Sequence, residues 1–121
     1  MKKSRVLVFS DFDSIRKIIV NSIKSKGMDV IETTSYQNAI KELNGTSFSL
    51  VITDNDIRND DGTKLVKYMR SLTSYLYTPI LLLHSSKPEQ LADTYADYNI
   101  ACFMGKPFDM QKFHSVVDRF A

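Results

Sequence analysis

A doubly wound α/β fold on a five-stranded parallel sheet is what this sequence predicts, and three observations predict it. Short β-branched runs alternate with longer segments of helical period, the pattern of successive strand-helix units. One run, Pro79-Ile80-Leu81-Leu82-Leu83, is apolar throughout, as a central strand covered on both faces has to be. Charged residues also fall where three of the runs end: Asp11, Asp54 and Lys106. Right-handed crossovers put all strand C-termini on one edge of a parallel sheet, where open α/β sheets bind ligands.

The first strand is expected over residues 5–10, where Val6, Leu7, Val8 and Phe9 run together. A helix over 14–26 follows, with Ile15, Ile18, Ile19 and Ile23 on one stripe and Gly27 as its C-terminal stop. Residues 28–32 make a short second strand, and 36–43 carry Ala39, Ile40 and Leu43 at helical spacing before Asn44-Gly45 ends the helix. The third strand is 48–53, and the polar stretch 55–62 that follows is a loop. A helix over 63–72 turns Leu65, Val66, Met69 and Leu72 inward; the apolar fourth strand is 79–83. Residues 87–98 have the weakest helical pattern, their apolar positions being mostly Leu, Ala and Tyr. After a fifth strand at 100–104, a helix over 109–120 closes the chain, with Asp109 as N-cap and Phe113, Val116, Val117 and Phe120 on its buried stripe. Five strands and five helices in strict alternation correspond to the flavodoxin-like topology, strand order 2-1-3-4-5.

The 121 residues are expected to form one domain, large enough for a real core and too short for a separate output domain. Hydrophobic content of 43% and charged content of 25% are ordinary for a soluble globular chain. The net charge is +2 and the longest basic cluster is Lys2-Lys3, too little to indicate nucleic acid. No apolar run approaches the ~20 residues of a membrane span. Asp11 and Asp13 interrupt the first apolar run too early for a signal peptide. Cys102 has no cysteine partner in the chain and reads as an inert core thiol. A cytoplasmic protein without nucleic-acid or membrane partners is the expectation.

Asp54 carries the functional reading, because it stands where an apolar strand runs out at the mouth of the sheet. With Asp11 and Lys106 on the same edge, two carboxylates and an ammonium converge, a set suited to Mg²⁺-assisted phosphoryl transfer onto an aspartate. An aspartate accepts a phosphoryl group once the charge repulsion between them is removed. Mg²⁺ removes it, bridging carboxylate and phosphate through octahedral oxygen coordination. Asp54 would be nucleophile and metal ligand, Asp11 the second carboxylate, and the backbone carbonyl of Asp56 a third oxygen. Lys106 would meet the phosphoryl oxygens as charge accumulates on them. Asp60 and Asp61 read as solvated, and Gly62 as a turn residue whose backbone angle other residues resist.

Four segments occur in order: Val6-Leu7-Val8-Phe9-Ser10-Asp11, Asp54 with Asp61-Gly62, Pro79-Ile80-Leu81-Leu82-Leu83, and Lys106-Pro107-Phe108. Through them the whole chain resembles a two-component response-regulator receiver domain. The resemblance implies a phosphoryl group taken from a histidine kinase or phosphotransfer protein, and catalysis confined to the chain's own phosphorylation and dephosphorylation. It also implies a cis Lys106-Pro107 bond, the kind of bond where that isomer costs least. Signalling would pass to a separate protein through the face of the fourth helix, fifth strand and fifth helix, including Tyr95, Tyr98, Phe103 and Phe113, or the phosphoryl group would move onward.

Three positions depart from the receiver pattern. Ser10 replaces the first of two adjacent acids, which implies weakened Mg²⁺ binding; Asp56 is placed to restore some of the charge, while Asp13 is either near the site or a cap of the first helix. His84 stands where the family has a switch Ser or Thr, and either donates an N–H to the phosphoryl group or fills the pocket. Ser85 is not expected to substitute, since one step along a strand reverses the face. Phe103, at the relay aromatic, has no hydroxyl and is either relay or core. Arg58 replaces a common proline and implies a more flexible loop. These departures keep a second reading open, a pseudo-receiver that binds partners without phosphorylation. A third reading takes Phe9-Ser10-Asp11-Phe12-Asp13 as similar to haloacid dehalogenase-like phosphatases, with Asp11 as nucleophile and Asp13 as general acid, though the Gly-Thr that follows in that family is missing.

Overall fold

The β-branched runs become strands β1 (Arg5–Phe9), β2 (Asp29–Thr33), β3 (Leu50–Asp54), β4 (Ile80–His84) and β5 (Cys102–Gly105). They pair in parallel in the order β2-β1-β3-β4-β5, the flavodoxin-like order expected. Helices α1 (Asp13–Ser25), α2 (Tyr36–Gly45), α3 (Lys64–Arg70), α4 (Pro88–Thr94) and α5 (Met110–Phe120) connect and follow them. This computed structural model describes residues 4–57, 62–85, 87–107 and 109–121. The expectations at Arg58, Asp60, Asp61 and Phe108 lie outside those residues.

The alternation of strand side chains divides the core in two. Leu7, Phe9, Val51, Ile80 and Leu82 meet Ala39, Leu43, Leu65, Val66, Met69 and Leu91, from α2, α3 and α4. Val6, Val8, Leu50, Ile52, Leu81, Leu83 and Met104 meet Ile19, Val20, Ile23, Phe113 and Val117, from α1 and α5. Strand β4 is therefore buried on both faces, which explains its unbroken apolar run.

Local capping follows the sequence. Asp109 accepts from the Gln111 backbone N–H at 2.9 Å, Ser35 caps α2 through Asn38, and Gly27 takes the left-handed conformation just past α1. The stripe of α1 differs from expectation. Arg16, Ile19, Val20 and Ile23 are its buried residues, whereas Ile18 is 51% exposed. Arg16 holds an inward position because its guanidinium donates to the Ser10 carbonyl (3.0 Å), Asp13 (2.6 Å) and Glu32 (3.2 Å). Asp13 lies in the first turn of α1, not at its cap, which is Phe12. Helix α4 is shorter than its pattern suggested: it ends at Thr94, with Tyr95 as its C-cap buried in the core.

Arg70, at the end of α3, joins the loops that lead into β4 and β5. Its guanidinium donates to the carbonyls of Tyr75 (2.7 Å), Thr78 (2.9 Å), Tyr98 (2.8 Å) and Asn99 (3.0 Å). These bonds set the entry points of two strands whose far ends carry site residues.

Candidate functional site

Register places the site. Phe9 pairs with Thr53, Asp54 with Leu83, and His84 with Gly105, so the residues just past these pairs share the C-terminal edge. Asp54 is completely buried there. Lys106 starts from the end of β5 and reaches across β4, setting its Nζ 2.9 Å from Asp54 Oδ1 and 3.0 Å from Oδ2. The Phe12 ring lies 4.7 Å from the same ammonium. Asp54 Oδ1 also accepts from the Asp56 backbone N–H (2.9 Å), and Oδ2 from the Ser10 hydroxyl (3.4 Å). Ser10 thus supplies Asp54 with a hydrogen bond and no charge.

Burial pushes the Asp54 carboxyl above the ordinary carboxylate range; the Asp56 N–H and Lys106 oppose this without reversing it. A folded value above the unfolded one means that ionised Asp54 costs stability. The cost grows as pH rises from the ordinary carboxylate range to the raised value and persists above it. Asp54→Asn is expected to gain about 1–2 kcal/mol at neutral pH, measured by urea denaturation, with the gain fading at acid pH. A variant less stable than the wild type at neutral pH would contradict this.

A family model for the response regulator receiver domain matches residues 6–118. The chain belongs to this family. The receiver is 24% identical over 120 residues to chemotaxis protein CheY-3 of Vibrio cholerae, covering 98% of this chain and 92% of that protein. It is 25% identical over 117 residues to the transcriptional regulatory protein GlrR of Escherichia coli strain K12, covering 97% of this chain and 26% of that protein. The receiver therefore spans about a quarter of the length of that relative. In fold it is similar to chemotaxis response regulator CheY4 of Vibrio cholerae, with a TM-score of 0.89 at 22% identity, covering 99% of this chain and 100% of that one. The non-phosphorylated HemR receiver domain of Leptospira biflexa gives 0.87 at 19% identity, with 98% and 94% covered. Receiver domains are signalling modules of two-component systems. They interact with histidine kinases and downstream effectors, and generally bind Mg²⁺ at an acidic pocket.

The oxygens of this receiver suit that ion. Among the described residues no three His, Cys, Asp or Glu side chains gather as a metal cage. Two carboxylates, Asp11 and Asp54, with a backbone carbonyl at Asp56 match a hard ion that keeps several of its waters. The Lys106-Pro107 bond is cis.

Several placements differ from expectation. Strand β4 ends at His84, so the alternation of faces no longer governs Ser85, whose hydroxyl donates to Asp56 Oδ2 at 2.7 Å. That oxygen is also 3.0 Å from Lys106 Nζ. Burial raises the Asp56 carboxyl, but the bonds from Ser85 and Lys106 outweigh it and leave the pKa below the ordinary range. His84 is buried with its ring edge-on to Phe103 (6.4 Å, 72°), and Phe103 in turn meets Tyr95 (6.1 Å, 62°). The Tyr95 hydroxyl is 2.6 Å from Asn55 Oδ1, one residue past Asp54. Tyr95 and Phe113 are core residues and are not available as docking surface, whereas Tyr98 and Phe103 are half-buried. Asp13 has a largely exposed side chain tied to Arg16, which removes it from a general-acid role beside Asp11.

Gly62 packs against the Asn55 backbone. Its role is close approach: a Cβ there would collide with the Asn55 carbonyl oxygen. Sequence reasoning named a turn glycine because the segment is polar; the contact with Asn55 depends on how the loop folds back.

Proposed function

We propose that residues 1–121 act as one cytoplasmic receiver unit that takes a phosphoryl group on Asp54. The observation that carries the reading is the fully buried carboxylate at the end of β3 with one ammonium against both its oxygens. A desolvated carboxylate is a better nucleophile than a hydrated one, and Lys106 is already within reach of the oxygens that will carry charge. An Asp54 oxygen forms a P–O bond as the P–N bond of a phosphohistidine breaks. The electron pair of that bond stays on the imidazole nitrogen. Lys106 holds the phosphoryl oxygens, and Ser10 and the Asp56 N–H keep the carboxylate oriented.

Mg²⁺, held by Asp11, Asp54 and the Asp56 carbonyl, would neutralise the charge between nucleophile and phosphate. The donor is a histidine kinase or phosphotransfer protein. An apolar groove of about 310 Å³, lined by Ile15, Ile18, Pro107 and Met110 and bounded by Lys106, offers it a seat beside the acceptor and accounts for the exposure of Ile18. A downstream protein would read the α4–β5–α5 face, with Tyr98 and Phe103 as the accessible aromatics and without nucleic acid or membrane.

The pseudo-receiver reading is supported by His84, which places a ring where the family has a hydroxyl. Intact-mass spectrometry after incubation with Mg²⁺ and acetyl phosphate separates the two. A single phosphoryl adduct on the wild type and none on Asp54→Ala is expected. No adduct on the wild type at high Mg²⁺ would favour the binding module.

A further inference from the structure

Two donors from different elements converge on one carboxylate oxygen beside the acceptor. Ser85 Oγ is 2.7 Å and Lys106 Nζ 3.0 Å from Asp56 Oδ2, and the same Nζ is 2.9 and 3.0 Å from the two Asp54 oxygens. A phosphoryl group on Asp54 extends from one of those oxygens and brings its own oxygens against Lys106. That is the position in which Asp56 Oδ2 now stands. The geometry points to Asp56 as an internal stand-in for a phosphoryl oxygen, and to Ser85 as the hydroxyl that passes to the phosphoryl group when Asp56 is displaced. This inference rests on the phosphoacceptor reading of Asp54.

Charge makes the exchange necessary. A dianionic phosphoryl group and the Asp56 carboxylate cannot share one ammonium and one hydroxyl at hydrogen-bond distance, since like charges in contact are strongly unfavourable. Asp56 is partly exposed and has room to turn toward solvent. Ser85, also exposed, directly follows β4 and donates toward the site. His84 is turned to the Phe103 ring and belongs to the aromatic set behind the site. The hydroxyl missing from the strand end is thus recovered one residue later, where the backbone has left the pleat.

Fluorine NMR titration with beryllofluoride in Mg²⁺, a phosphoryl mimic that binds the acceptor carboxylate, tests this. Ser85→Ala is expected to weaken binding by about tenfold or more, the loss of one hydrogen bond to a charged group. Ser85→Thr keeps the hydroxyl and is expected to restore it. Asp56→Asn retains the backbone carbonyl, removes the competing charge and is expected to tighten binding by about tenfold. Unchanged affinity in Ser85→Ala and Asp56→Asn, with a wild type that binds the mimic, overturns the stand-in and leaves Asp54 as acceptor. A wild type that binds no mimic and takes no phosphoryl group from acetyl phosphate overturns both readings.

Discussion

Gly62→Ala is expected to lose about 3 kcal/mol of stability and most of its phosphoryl adduct. The added Cβ would collide with the Asn55 carbonyl oxygen and stand 2.7 Å from the carbonyl carbon and 2.8 Å from Cα. These are backbone atoms and do not yield as a flexible side-chain tip does. Asn55 is fixed on two sides, its N–H donating to the Leu83 carbonyl at 2.8 Å and its side chain accepting from Tyr95 at 2.6 Å. A shift of Asn55 therefore moves Asp54, which precedes it, or breaks the Tyr95 bond. Gly45→Ala is the internal control, since nothing lies within 4 Å of a Cβ there. Urea denaturation of both variants, with intact-mass measurement of the adduct, checks the contrast. Equal stabilities would show that the Asn55 segment relaxes freely and that the close approach has no energetic weight.

Arg70→Met is expected to lose a comparable amount, about 3 kcal/mol, because charge-assisted bonds to four carbonyls disappear together. Methionine preserves much of the stem packing, so the loss reports the guanidinium itself. Burial lowers the Arg70 pKa, yet a guanidinium remains protonated at any working pH. The carbonyls offset that desolvation. Arg70→Lys is expected to recover only part of the loss, since one ammonium cannot fork across two loops. Amide exchange should quicken first in the loops before β4 and β5, while α1 and α5 stay protected. A variant as stable as the wild type would mean that the loops hold their course through packing alone.

Most of the sheet and the first members of the site are legible along the chain. Strand ends and helical stripes are local patterns: Val6 to Phe9, Leu50 to Thr53 and Ile80 to Leu83 alternate faces whatever packs on them. Asp54 and Lys106 follow from the same logic, because a parallel sheet delivers every C-terminal end to one edge. The interior place of β4 could be inferred from its uniform apolarity, and the cap Asp109 from its residue type.

The misreadings share a different origin. Ile18 lay on the expected stripe of α1, but the sheet meets the turn that carries Arg16, Ile19, Val20 and Ile23. Arg16 takes an inward place on α1 through partners in other elements, the Ser10 carbonyl and Glu32, which no pattern local to the helix reveals. Tyr95 and Phe113 belong to the expected signalling face yet lie in the core, because an aromatic side chain does not announce which side of its helix is covered.

The sequence by itself determined the doubly wound order, the strand-end carboxylate Asp54 and the lysine that meets it, since these depend on periodicity and on where each strand stops. Only the tertiary structure decided that Ser85 and Lys106 converge on Asp56, that Gly62 is required by the Asn55 backbone, and that His84 is turned to Phe103. Past the end of a strand the side-chain direction is no longer set by the pleat, and contacts between loops depend on distances that no local pattern encodes.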